Sequence, residues 1–222
     1  MPALISDRWR IATAAAIAMS VLVVAVLGVR LHDAGPTSFD VWALRHSVSA
    51  IGSGDASALL HFSEPAVSLS VIVVVAALAA AARRWRLVVL AAIGPALAVV
   101  LTEYVLKPVI DRYLVQPGVP LAVLRAAYSG AFPSGHETGV ASAAVLTLVA
   151  VGQLRVGVAA RAAIAAVLAA WAGVAALGLI RNFFHYATDT VGALGVSVAV
   201  VLGGAWAIDA AVPAVGRRRQ LT

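Results

Sequence analysis

Ala131-Phe132-Pro133-Ser134-Gly135-His136-Glu137-Thr138 is a short polar seam that opens into an apolar run reaching about residue 154. A proline and a glycine within four residues force a tight backbone course, and Ser134 and His136 then stand where loop becomes helix. The start of a helix presents free backbone N–H groups and partial positive charge, which suits an anion such as phosphate. The run behind the seam has about the length a helix needs to cross ~30 Å of hydrocarbon.

Runs of this kind recur along the 222 residues. The chain is 62% hydrophobic and only 12% charged, with a mean hydropathy of +0.98. Soluble domains carry about 25% charged residues, so this chain lacks the polar surface to cover a globule in water. It reads as an integral membrane protein. There is no cysteine, which excludes disulfides and thiolate metal sites. The net charge is +6. The basic residues flank apolar runs instead of forming a stripe, so nucleic acid is not an expected partner.

Arg8-Trp9-Arg10 precedes a first span over residues 11–29, too long for a signal-peptide core and read as uncleaved. Residues 30–64 are the least hydrophobic part of the chain. Within them Phe39, Val41, Trp42, Leu44 and Val48 recur at helical spacing after Pro36-Thr37-Ser38. That pattern predicts a short amphipathic helix at the headgroups. Further spans are expected over residues 66–82, 87–106, 138–154, 162–180 and 190–208. The predicted fold is all-α: one domain over residues 1–222, a six-transmembrane-helix bundle with a short interfacial amphipathic helix after the first span. The Ala- and Gly-rich helices permit close packing within a bundle or between protomers, which leaves a homo-oligomer open.

Six spans fix the sidedness of every loop. Ten basic residues (Arg8, Arg10, Arg83, Arg84, Arg86, Arg155, Arg161 and Arg217-Arg218-Arg219) fall on one side; Arg30, Arg45, Lys107, Arg112, Arg125 and Arg181 fall on the other. The positive-inside rule then puts both termini in the cytoplasm of a multi-pass inner (plasma) membrane protein. The loops after spans one, three and five face outward.

Three outward-facing elements thereby share one depth of the bundle. They are Lys107-Pro108-Val109-Ile110-Asp111-Arg112, Pro133-Ser134-Gly135-His136, and Arg181-Asn182-Phe183-Phe184-His185-Tyr186-Ala187-Thr188-Asp189. Ionisable groups near a bundle interior are costly and point to function. The residue types match phosphoryl chemistry: cations for non-bridging oxygens, a nucleophilic base, an orienting carboxylate, an acid for the leaving group. Taken singly, Pro-Ser-Gly is a turn, Lys107 a snorkelling anchor, Asp189 a helix cap and His185 interfacial packing. Their joint occurrence, in order and on one side, points to an enzyme. His32, His46 and His61 have no partner spacing that singles them out.

These elements resemble the three signature motifs of the type 2 phosphatidic acid phosphatase superfamily, in the family's order and on one side of six spans. Pro133–His136 matches the second motif in full, and His185 and Asp189 have the spacing of the third. Two departures concern arginine. Leu114-Val115 stand where the first motif has Arg-Pro, so Arg112 is the nearest substitute and Arg125 a more distant one. Arg181 precedes His185 by four residues where the family has a longer interval.

The resemblance implies metal-independent hydrolysis of a phosphate ester or diphosphate on a membrane lipid at the outer face, without a cofactor. His185 would be the nucleophile, forming a phosphohistidine. Asp189 would orient it, and His136 would protonate the leaving group. Lys107, Arg112, Ser134, Gly135 and Arg181 would hold the phosphoryl oxygens. Glu103, four residues before Lys107, is placed to pair with it. A polyprenyl diphosphate is the first expected substrate. Phosphatidate, phosphatidylglycerophosphate or a polyprenyl-phosphate-sugar phosphate, or a non-catalytic lipid-binding role, are the alternatives.

Overall fold

The computed structural model of the chain describes residues 3–115, 123 and 130–218. Among them there is no strand. A 3-10 turn, Asp7–Trp9, leads into α1 (Arg10–Leu31). Next come α2 (Ser38–Ala50), α3 (Ser53–Leu60), a 3-10 turn (His61–Ser63), α4 (Pro65–Ala81) and α5 (Trp85–Leu101). A π turn (Thr102–Leu106) joins α5 to α6 (Lys107–Ile110), and α7 (Gly135–Gly152), α8 (Val158–Arg181) and α9 (Ala187–Arg218) complete the chain.

Five stretches are long and apolar enough to cross a membrane: Asp7–Leu31, Gly54–Ala81, Trp85–Ile110, Val158–Arg181 and Ala187–Ala211. The sixth crossing is α7, whose first turn carries His136 and Glu137. Its neighbours on every side are other helices, since it packs against α4, α5, α8 and α9. Residues from Glu137 to Val151 are largely buried there. A helix enclosed in this way meets mostly protein, so it tolerates a polar first turn that a peripheral span would not. By contrast, α1 has only Gly28 and Leu31 buried and lies against α9 at the edge of the bundle.

The interfacial segment is two helices where the sequence pattern predicts one. α2 starts at a capping box: Thr37 Oγ1 accepts from the Asp40 N–H at 3.2 Å, and Asp40 Oδ2 accepts from the Thr37 N–H at 2.9 Å. The rings of Phe39 and Trp42 stack at 5.8 Å and are about half exposed, as expected of aromatics among headgroups. α3 then runs through a 3-10 turn into α4, which opens on Pro65 at its first position, where a missing N–H costs nothing.

The two ends of the bundle are closed differently. At one end Asp209 accepts from the Leu4 and Ile5 N–H groups, both at 2.9 Å, and from Arg86 Nη1 at 3.0 Å. Arg84 Nη1 donates to the Gln153 carbonyl at 2.8 Å. An apolar cluster including Leu87, Leu90, Leu146 and Val201 packs above this lattice. The opposite end gathers the three motif-bearing segments.

Candidate active site

The loop 131–134 is held at four points, by residues 112, 185, 189 and 192. The Ala131 N–H donates to the Arg112 carbonyl at 2.9 Å. The Ala131 carbonyl accepts from His185 Nδ1 at 3.0 Å. The Ser134 N–H donates to the Asp189 carbonyl at 3.2 Å. Phe132, fully buried, packs against Gly192 of α9, where an added Cβ would come within 2.3 Å of its ring. The Phe132–Pro133 bond is cis. Together these contacts deliver Gly135 and His136 to the mouth of the bundle opposite His185.

The rings of His136 and His185 stand 6.4 Å apart, centroid to centroid. Both line one cavity of about 970 Å³, which descends between α4, α5 and α7 along Leu69, Ile72, Ala92, Ala96 and Val99. A carbonyl oxygen only accepts, so the bond to Ala131 requires the hydrogen of His185 to sit on Nδ1. The lone pair is then on Nε2. The ring is thus set in the tautomer a nucleophile needs by a backbone carbonyl. The expected orienting carboxylate stands further off: Asp189 Oδ2 is 3.6 Å from Nδ1, beyond hydrogen-bond reach, and accepts instead from the Tyr186 N–H at 2.8 Å.

Asp189 belongs to a buried ion-pair network centred on Arg112. Asp111 ends α6 in the left-handed conformation, φ 47°, and the reversal turns Arg112 inward. Its guanidinium is fully buried. Nη1 donates to Asp189 Oδ1 and, at 2.6 Å, to Thr188 Oγ1. Nη2 donates to Asp40 Oδ2 at 2.7 Å and to the Gly35 carbonyl at 3.1 Å. Its flat face lies 4.3 Å from the Tyr186 ring centroid. Asp40 completes the set by accepting from the Thr188 N–H at 2.8 Å. Burial alone would raise the Asp40 carboxyl, but the N–H groups of Thr188 and Thr37, with Arg112 beside it, hold it below the usual carboxylate range. Burial pushes the Tyr186 hydroxyl up.

Three of the expected phosphate ligands are therefore placed elsewhere. Arg112 is a structural cation between two carboxylates and does not line the cavity. Ser134, also fully buried, is the N-cap of α7, its Oγ accepting from the Glu137 N–H at 3.2 Å. Arg181 donates from Nε to the Ile51 carbonyl at 3.0 Å, tying α8 to the α2–α3 corner. Arg125 lies outside the described residues. His32 and His46 are bonded to the Ile110 and Trp42 carbonyls, and His61 to Glu64.

Lys107 and Gly135 do line the cavity. Pro108 has no N–H for the carbonyl of residue 104, and its ring crowds that carbonyl. The chain relieves this with the π turn over Thr102–Leu106, closed by the Lys107 N–H on the Thr102 carbonyl. The wider turn sets Glu103 and Lys107 side by side: Lys107 Nζ donates to both carboxylate oxygens, at 2.7 and 2.8 Å. Glu103 also presses on the first residue of α7, since a Cβ on Gly135 would fall 1.9 Å from Glu103 Oε1. A side chain at residue 135 would require that carboxylate to move aside.

Asp40 and the Ala131 carbonyl were not singled out by sequence reasoning. Asp40 had a signal, the Thr37-x-x-Asp40 cap, but that signal reports a helix start and not a partner 72 residues away. A backbone carbonyl leaves no mark in a sequence.

No protein-family model matches the chain, and no match was found among curated proteins. A solved structure is similar: the crystal structure of the first transmembrane PAP2 type phosphatidylglycerolphosphate phosphatase from Bacillus subtilis aligns with a TM-score of 0.59 at 18% identity. The alignment covers 86% of this chain and 94% of that one, so the two share a helical membrane fold over most of their lengths.

Proposed function

We propose that the chain is a membrane lipid phosphatase of the type 2 phosphatidic acid phosphatase superfamily, working through a phosphohistidine on His185. The observation that carries this is the pair of histidines facing each other at 6.4 Å across the head of an apolar cavity. That gap admits a phosphoryl group, and the apolar walls below it suit the tail of a lipid. The shared fold with a transmembrane phosphatase supports the same reading.

In this reaction His185 Nε2 attacks phosphorus, and the bond from phosphorus to the lipid oxygen breaks as the P–N bond forms. His136 gives a proton to the departing oxygen. Water then attacks phosphorus, His136 takes its proton, and the P–N bond breaks to release inorganic phosphate. The Ala131 carbonyl stabilises the imidazolium formed at His185, with Asp189 adding its field from 3.6 Å. Lys107 and the first N–H groups of α7 hold the non-bridging oxygens. Following the charge distribution of the loops, the site faces outward and both termini are cytoplasmic.

Among the described residues Lys107 is the one fixed cation lining the cavity. That favours a terminal phosphate monoester on a lipid, such as phosphatidate or phosphatidylglycerophosphate, over a more highly charged diphosphate. A polyprenyl diphosphate is the second reading, favoured by the length of the apolar cavity. Phosphate release from a panel of these lipids, assayed with EDTA, ranks the substrates. Parent and His185→Ala releasing equal, near-background phosphate from every lipid would leave a lipid-binding role in place of the enzyme. Strict Mg²⁺ dependence would count against the metal-independent route.

A further inference from the structure

We propose that the Glu103 carboxylate is a built-in occupant of the phosphoryl seat, which a phosphate head must displace before it meets the two histidines. Three observations converge on it. The carboxylate takes both of its contacts from the cavity's lysine, with Lys107 Nζ at 2.7 and 2.8 Å from its two oxygens. The same carboxylate lies against Gly135, at the N-terminal end of α7 where an anion is favoured. Glu103, Lys107, Gly135, His136 and His185 all line the one cavity, so the carboxylate shares it with the nucleophile and the acid. It presents two oxygens to a lysine and a helix start, as a phosphate would. The π turn that carries it is a local departure from helical register, a feature frequent at functional sites.

The consequence is a threshold for entry. The headgroup layer surrounding such a site is crowded with phosphodiesters carrying one negative charge. A phosphate monoester carries about −1.5 to −2 at neutral pH, so its attraction to Lys107 exceeds that of a diester roughly in proportion to charge. A resident carboxylate of charge −1 competes evenly with a diester and loses to a monoester. Glu103 thus sets a threshold for entry: a weakly held diester no longer fills the seat at ambient concentration, while a monoester, held more strongly by Lys107, still does. A seat filled nine-tenths of the time by its own carboxylate weakens the apparent affinity for any entering anion about tenfold.

This inference rests on the phosphatase reading for the identity of the displacing group, and the experiment separates the two. Binding of orthovanadate and of inorganic phosphate to the purified full chain is measured without turnover. The KM for a lipid phosphate monoester and the inhibition constant of phosphatidylglycerol, a diester, are measured with it. Glu103→Gln is expected to bind vanadate and phosphate about tenfold more tightly, to show a lower KM, and to become inhibited by phosphatidylglycerol at concentrations the parent ignores. Glu103→Asp, which keeps the charge on a shorter arm, serves as the second variant and is expected to fall between the two. Weaker anion binding by both variants would show that Glu103 only positions Lys107, and would overturn the proposal. An unchanged inhibition constant for phosphatidylglycerol in both would overturn it equally. Tighter vanadate binding by Glu103→Gln in a chain that hydrolyses no lipid phosphate would uphold the occupied seat and reject the phosphatase.

Discussion

Arg112→Met keeps the aliphatic bulk of the side chain and deletes its charge, leaving Asp40 and Asp189 buried without their shared cation. Removing one partner of a buried ion pair costs about 3–5 kcal/mol, because the remaining charge is uncompensated. Here two carboxylates lose the same partner, both fully buried in their side chains. The bonds to the Gly35 carbonyl and Thr188 Oγ1 go as well, at about 1 kcal/mol each. The expected loss is thus at least about 4 kcal/mol, a large part of the 5–15 kcal/mol typical of a whole domain. At about 2–4 °C per kcal/mol for a chain of this size, the melting temperature drops by about 10 °C or more. Tryptophan fluorescence during a thermal ramp in detergent measures it, with KM determined below the new transition. Asp40→Asn combined with Arg112→Met is expected to cost less than the sum of the single changes, since the second no longer strands the first partner. A melting temperature within about 2 °C of the parent, together with a raised KM, would refute the reasoning and return Arg112 to the phosphate.

Two further outcomes follow from particular contacts. Gly192→Ala drives a methyl into the Phe132 ring, which a Cβ would approach to 2.3 Å. The loop 131–134 must then lift, and because that loop carries His136 and orients His185, turnover is expected to fall by tenfold or more; parental turnover in Gly192→Ala would show that the loop is not positioned by this contact. Asp40 governs the acid limb of stability. Its folded pKa lies below its unfolded value, so its contribution is complete above about pH 4 and is lost as pH falls through the folded value. The melting temperature is expected to fall on acidification below about pH 4 in the parent and less steeply in Asp40→Asn; identical slopes would exclude Asp40 as the source.

The bundle was legible because hydrocarbon thickness writes itself into run length; a helix covers each expected span, though the second crossing stretch begins early, at Gly54, and the last helix runs on to Arg218. α7 begins at Gly135 and not near 138, since Ser134 caps it and the polar turn behind the cap is already helical. The Glu103–Lys107 pair was legible too, as the partners are four residues apart. The arginines were not. Arg112 meets Asp40 and Asp189 across 72 and 77 residues, and nothing local distinguishes a buried structural guanidinium from one that clamps phosphate. Ser134 illustrates a different difficulty. Ser134-x-x-Glu137 is a helix-start signature in its own right, and a capping hydroxyl and a phosphate-binding hydroxyl occupy the same place in a sequence. The tautomer of His185 rests on a main-chain carbonyl, which composition and spacing never record.

The central claim is that His185 takes the phosphoryl group while His136 serves the leaving group and then water. His136→Ala, given a lipid monoester labelled with ³²P in its terminal phosphate and quenched in alkali, isolates the step between them. The account predicts label retained on the peptide that contains His185, stable to alkali and lost in acid, and absent when His185→Ala is added. Phosphate release by His185→Ala at the parental rate, or label recovered on any other residue, would contradict it.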